Sequence, residues 1–130
     1  MTGVAYVDAS AIVKLVLDEQ DTPSMVRWFI ETERAATSVV GVIETRRAIS
    51  RRPHDSAVLS SIMDMFITLE LSDTITAAAS RVSPAGLRTL DAIHVATALS
   101  IGPDLESFVT YDDRLAEAAR AVGLPVVRPA

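Results

Sequence analysis

Apolar positions along the chain follow two periods. Short runs rich in β-branched or small residues read as strands: Val4-Ala5-Tyr6-Val7, Ala35-Ala36-Thr37-Ser38, Ile67 to Leu71, Ser107 to Thr110, and Pro125-Val126-Val127. Between them, apolar residues recur at helical spacing. One helix is predicted from about Ser10, as N-cap, to Asp18, with Ile12, Val13, Leu15 and Val16 apolar. Thr22-Pro23 opens a second, carrying Met25, Val26, Phe29 and Ile30. A third spans about Val39 to Arg52, where Pro53 ends it, and a fourth spans His54 to Phe66. Ser72-Asp73 caps a fifth that runs to about Val82, and Ser83-Pro84-Ala85-Gly86 is loop chemistry. Leu90 to Ile101 is the most apolar helix, stopped by Gly102-Pro103, and Asp112 to Val122 is closed by Gly123.

Strands alternating with helices imply a three-layer α/β/α fold with a short parallel central sheet. The 130 residues suit one domain, expected over 1–130, large enough to bury a core without disulfides or structural metal. There is no internal repeat or interdomain linker in the pattern.

Composition narrows the function. With no cysteine, a thiolate zinc site and a disulfide framework are excluded, which suits a reducing cytosol. No apolar run approaches the roughly 18 residues that span a bilayer, and no basic-then-apolar leader opens the chain, so no membrane association and a cytoplasmic address are expected. The net charge of −5 argues against a general nucleic-acid coat protein. Basic residues are nevertheless clustered: Arg46, Arg47, Arg51 and Arg52 fall together, a local patch able to meet phosphate. Each of these also fits a solvated helix end favoured by the dipole. Trp28, Tyr6 and Tyr111 do not make a base-stacking platform.

The informative carboxylates sit inside apolar stretches. Asp8 ends the first strand, either as a helix cap or as a ligand-facing group at the carboxyl edge of the sheet. Glu44 shares a stripe with Val40 and Ala48, or pairs with Arg47 or Arg51. Asp91 opens the most apolar helix, with Val95 and Ala98 on its face; the helix dipole alone could hold it there. Asp112 and Asp113 follow the fourth strand, and one of them caps the next helix. His94, three residues after Asp91, reads as a hydrogen-bonded core histidine rather than a metal ligand, and His54 as a helix-start residue.

Four converging carboxylates without a counterion would repel and take up protons. Hard divalent cations with oxygen ligands are their natural partners, and the chemistry implied is phosphodiester hydrolysis without a covalent intermediate.

In these residues the chain resembles the PIN-domain family, and within it the VapC-type ribonuclease toxins of bacterial toxin–antitoxin pairs. The matching segments are Val7 to Ala11, Val42 to Ala48, Leu87 to Ala98 and Val109 to Leu115, in the family's order. The resemblance implies that Asp8, Glu44, Asp91 and Asp112 bind Mg²⁺ or Mn²⁺, with Asp113 sharing the role of Asp112 and Ser10 and Thr110 as auxiliary hydroxyls. It also implies endoribonuclease action on structured RNA such as tRNA or rRNA, a homodimer, and inhibition by a cognate antitoxin. Arg46, Arg47 and Arg51 would be RNA contacts.

Other classes fit these residues less well. A phosphohydrolase of the haloacid dehalogenase type needs a second aspartate two residues after Asp8, where Ser10 stands, and a supporting lysine, of which only Lys14 exists. A receiver domain lacks its acidic pair and late lysine, and a P-loop is absent. A non-catalytic PIN-fold interaction module would retain four buried acids to no purpose, at a cost in stability.

Overall fold

Strand β1 (Val4–Val7) shows why the fold has three layers. Its side chains alternate: Ala5 and Val7 enter one hydrophobic cluster and Tyr6 the opposite one. The first cluster is built with Ala11, Ile12, Leu15, Met25, Ile49, Leu59 and Met63, from helices α1 (Ala9–Val16), α2 (Thr22–Ile30), α3 (Val39–Ser50) and α4 (Ser56–Asp64). The second gathers Val95, Ala98, Leu115, Ala118 and Ala119, from α6 (Thr89–Ile101) and α7 (Asp113–Ala121). A further helix, α5 (Asp73–Ala79), precedes α6 in the chain. The chain is represented by a computed structural model that describes residues 3–130. Residues 1 and 2 of the expected domain lie outside the described residues.

Five strands form one parallel sheet in the order β3-β2-β1-β4-β5, with β2 at Ala35–Ser38, β3 at Phe66–Leu69, β4 at Leu105–Val109 and β5 at Val126–Val127. Tyr6 pairs with Ala36 on one side and Phe108 on the other. The chain therefore winds outward from β1 through β2 to β3, then returns to lay β4 on the free side of β1. Between β1 and β4 the order reverses, which opens a crevice at their carboxyl ends.

Side-chain caps fix most helix starts. Ser38 accepts from the Gly41 N–H, Ser72 from Ile75, Asp55 from Ala57, and Asp112 from Arg114 and Leu115. Several boundaries differ from the sequence expectation. Asp8, not Ser10, caps α1, because it is Asp8 that stands extended at the strand end and accepts from the Ala11 N–H. The helix expected over His54 to Phe66 starts after Asp55 and ends at Asp64. Phe66 is claimed by β3, where it pairs with Ala35 and stacks on Phe29. The third strand is Phe66–Leu69 instead of 67–71, and β4 begins earlier, at Leu105. Helix α3 ends at Ser50 and α5 at Ala79, each short of its expected limit. Among the described residues no helix is long and apolar enough to cross a membrane.

Candidate active site

The crevice between β1 and β4 is where Asp8 lies. Its backbone N–H donates to the Val109 carbonyl at 3.1 Å, so the two strand ends are stitched together at this residue. The Asp8 carboxylate is only 4% exposed. Ser10 Oγ donates to Oδ1 at 2.7 Å, the Ala11 N–H to Oδ1 at 3.2 Å, and Thr110 Oγ1 to Oδ2 at 3.0 Å. Burial nevertheless outweighs these donors and pushes the Asp8 carboxyl up to about 6. Ser10 and Thr110 do more than touch Asp8. Ser10 Oγ accepts from the Tyr111 N–H at 2.8 Å and Thr110 Oγ1 from the Asp112 N–H at 3.0 Å, so both fasten the loop after β4 to Asp8.

The three remaining acids arrive from other elements. Asp8, Glu44, Asp91 and Asp112 line one cleft of about 560 Å³, together with Ser10, Val13, Val40, Leu90 and His94. Asp91 is buried in the first turn of α6, where the N-terminal dipole favours a negative charge. Asp112 caps α7 and is partly open to the cleft. Both are bridged by Arg88: its Nη2 lies 2.8 Å from Asp91 Oδ2 and 3.1 Å from Asp112 Oδ2, and its Nε donates to Asp91 at 2.9 Å. Its hydrogen bond to Asp91 raises the Arg88 pKa above the ordinary value. Glu44, on α3, is held by His94 from α6, with Nε2 and Oε1 2.6 Å apart.

The arginines divide. Glu44, Arg47 and Ala48 on α3 and Arg51 at its C-cap follow one another at helical spacing along one side, and all four line the cleft. Arg46 is exposed and does not belong to that lining, and Arg52 pairs instead with Glu19 at 2.8 Å. Asp113 points elsewhere: its side chain is 86% exposed and pairs with Arg128 at 2.6 Å, while Asp112 faces the cleft.

Apart from helical spacing, nothing in the local sequence around Arg88 or Tyr6 marks a role for either, and the apolar setting of His94 points to a hydrogen-bonded core residue but not to its partners. His94 is buried as expected, but it joins Tyr6 Oη to Glu44. The spacing Asp91-x-x-His94 was the available signal, since residues three apart share a helix face. Arg88 had a similar one, three residues before Asp91.

Among the described residues, no three acidic or imidazole groups already stand as a closed metal-ligand cluster. The donor chemistry nevertheless fits a hard divalent cation. Every cleft acid offers carboxylate oxygens, and Asp8 is a buried carboxylate whose burial is not compensated by its neutral donors. The cation between Asp91 and Asp112 is the Arg88 guanidinium, on a side chain 51% exposed to solvent.

A parallel α/β/α sandwich with a carboxylate-lined cleft at the switch point of its sheet defines the class of fold. The chain belongs to the PIN-domain family, whose model matches residues 5–121. It is 36% identical over 130 residues to Ribonuclease VapC47 of Mycobacterium tuberculosis, covering 95% of this chain and 96% of that protein. Among solved structures it resembles M. tuberculosis VapC20, described as a sarcin-ricin-loop-cleaving toxin, with a TM-score of 0.74 and 18% identity over 96% of this chain and 99% of the other. It also resembles VapBC2 from Rickettsia felis bound to a DNA fragment from its promoter, with a TM-score of 0.72 and 11% identity over 98% and 99% of the two chains.

Proposed function

We propose that the chain is a VapC-type toxin: a single-domain, cytoplasmic, metal-dependent endoribonuclease that hydrolyses phosphodiester bonds in structured RNA. Its partner would be a cognate antitoxin, and its working form a homodimer. The observation that carries the enzymatic reading is the gathering of four carboxylates from four separate segments into one cleft. The likeness to a ribonuclease over 95% of the chain supports the same reading.

In this reading Asp8, Glu44, Asp91 and Asp112 would hold Mg²⁺ or Mn²⁺. When bound, the cation supplies positive charge to the phosphodiester and a water acidic enough to attack it near neutral pH. The chain's own residues do the rest. Ser10 and Thr110 hold Asp8 in one rotamer and tie it to the loop bearing Asp112. Arg88 bridges Asp91 and Asp112 and would have to be displaced for those two carboxylates to hold the cation. Arg47 and Arg51, on the same helix face as Glu44, meet the RNA phosphates at the cleft mouth. Hydrolysis breaks one phosphorus–oxygen bond: the water oxygen joins phosphorus and its protons pass to the leaving oxygen and solvent.

The test is cleavage of a structured RNA by the purified, antitoxin-free chain. Activity is expected with Mg²⁺ or Mn²⁺ and to be lost with EDTA, with Asp8→Asn and with Asp91→Asn, each variant remaining folded. Equal cleavage by wild type and both variants would refute the mechanism.

A further inference from the structure

We propose that His94 and Tyr6 are positioning residues which lock the Glu44 carboxylate in the cleft through a buried hydrogen-bonded chain. The inference rests on the reading of Glu44 as a metal ligand. Three elements contribute one member each: Tyr6 from β1, His94 from α6 and Glu44 from α3. These same elements carry or lead into three of the four cleft acids, with Tyr6 two residues before Asp8 and His94 three after Asp91. The chain thus fixes the relative placement of the segments that must converge.

Glu44 as a carboxylate only accepts, so His94 Nε2 must carry the proton that spans the 2.6 Å to Oε1. In the Nε2–H tautomer Nδ1 is an acceptor, and the Tyr6 hydroxyl, 2.6 Å away, donates to it. Packing holds the Tyr6 hydroxyl in place. Its ring is fully buried and stacked on Phe108 with centroids 5.3 Å apart. His94 is equally immobile at 2% exposure. The close seat of α3 is secured by Gly41, where a Cβ would lie 3.4 Å from His94 Cε1 and collide with Thr37 Oγ1.

A ligating carboxylate held in this way loses less rotamer entropy when it binds a cation, and removal of such outer partners typically costs about 10–100-fold in metal affinity. Glu44 stands at the cleft with part of its side chain in solvent and would otherwise sample several rotamers.

The test combines two measurements on the purified chain. The first is the two-bond proton–nitrogen spectrum of ¹⁵N-labelled, metal-free protein, in which His94 is expected as the Nε2–H tautomer; an Nδ1–H tautomer overturns the proposal. The second is the Mn²⁺ dissociation constant by calorimetry for wild type, Tyr6→Phe, His94→Gln and His94→Leu. The leucine variant is expected to bind roughly 10–100-fold more weakly. Glutamine, whose amide nitrogen can still donate to Glu44, should recover part of the loss, and Tyr6→Phe should show a smaller weakening. A merely structural role for His94 would lower the melting temperature of the metal-free variants without this order of affinities. If His94→Leu does not fold, Tyr6→Phe and His94→Gln decide the matter. Equal Mn²⁺ affinity in every folded variant overturns the positioning role alone. A wild type that takes up no Mn²⁺ instead overturns the metal reading of the cleft, while the tautomer still reports whether the hydrogen-bonded chain exists.

Discussion

The burial of Asp8 makes a quantitative prediction about stability. Its carboxyl is pushed from 3.8 to about 6 in the folded chain. A raised carboxyl pKa means that the native state binds a proton more tightly than the unfolded chain does. Stability then falls as pH rises through the window from about 4 to about 6, and the cost is fully present above it. At about 1.4 kcal/mol per unit, the ionised Asp8 costs on the order of 3 kcal/mol at pH 7.5 without metal. Asp8→Asn removes the charge while keeping most of the hydrogen bonds: Oδ1 still accepts from Ser10 and the Ala11 N–H, and Nδ2 can donate to Thr110 Oγ1. For a domain of this size the gain corresponds to a rise in melting temperature on the order of 10 °C. The assay is thermal unfolding followed by circular dichroism in EDTA from pH 4 to pH 8. The variant should melt well above wild type at pH 7.5, with the gap closing towards pH 4. Adding Mg²⁺ should raise wild type but not the variant. A variant that melts at or below wild type at pH 7.5, or a gap that does not change with pH, would refute the reasoning.

Three other outcomes can be measured in the same preparation. Arg47→Ala and Arg51→Ala should each weaken RNA binding and reduce its salt-dependence slope by about 1, whereas Arg46→Ala, outside the cleft lining, should leave both unchanged in a filter-binding titration. Asp112→Ala should abolish cleavage and also cost about 1 kcal/mol through loss of the α7 cap, while Asp113→Ala should preserve activity to within about twofold, as befits an exposed side chain paired with Arg128. Arg88→Ala should tighten Mn²⁺ binding several-fold by calorimetry, because the guanidinium no longer competes for Asp91 and Asp112; unchanged or weaker binding would count against that competition.

Much of the scaffold was legible in the sequence because its determinants are local. The strand-to-helix junction at Asp8, the Ser72 cap, Pro23 in the first turn of α2 and the turn at Gly123 are each set by a few neighbouring residues. The alternation of strands and helices gave the parallel sheet, and the apolar character of α6 placed Asp91 in the interior. Where boundaries slipped, a tertiary contact won over local pattern: Phe66 left the helical stripe of α4 for a seat in β3 against Phe29 and Ala35.

The candidate site divides along the same line. Asp8, Glu44 and Asp91 stand out by their apolar surroundings, since an embedded carboxylate is unusual wherever it occurs, whereas Asp112 and Asp113 were equal candidates after the fourth strand and the set of four came from the family resemblance. Their partners could not be named in this way. Glu44 meets His94 across 50 positions, His94 meets Tyr6 across 88, and Asp8 meets Thr110 across 102. Side chains so far apart are brought together only when β4 returns to lie beside β1 and α3 and α6 close on the crevice. The same packing turns Arg47 and Arg51 into the cleft, leaves Arg46 outside and separates Asp112 from Asp113. Sequence alone determined which residues were chemically out of place, because that depends on local composition; the tertiary structure decided which of them face one another, because that depends on the order in which the strands are laid.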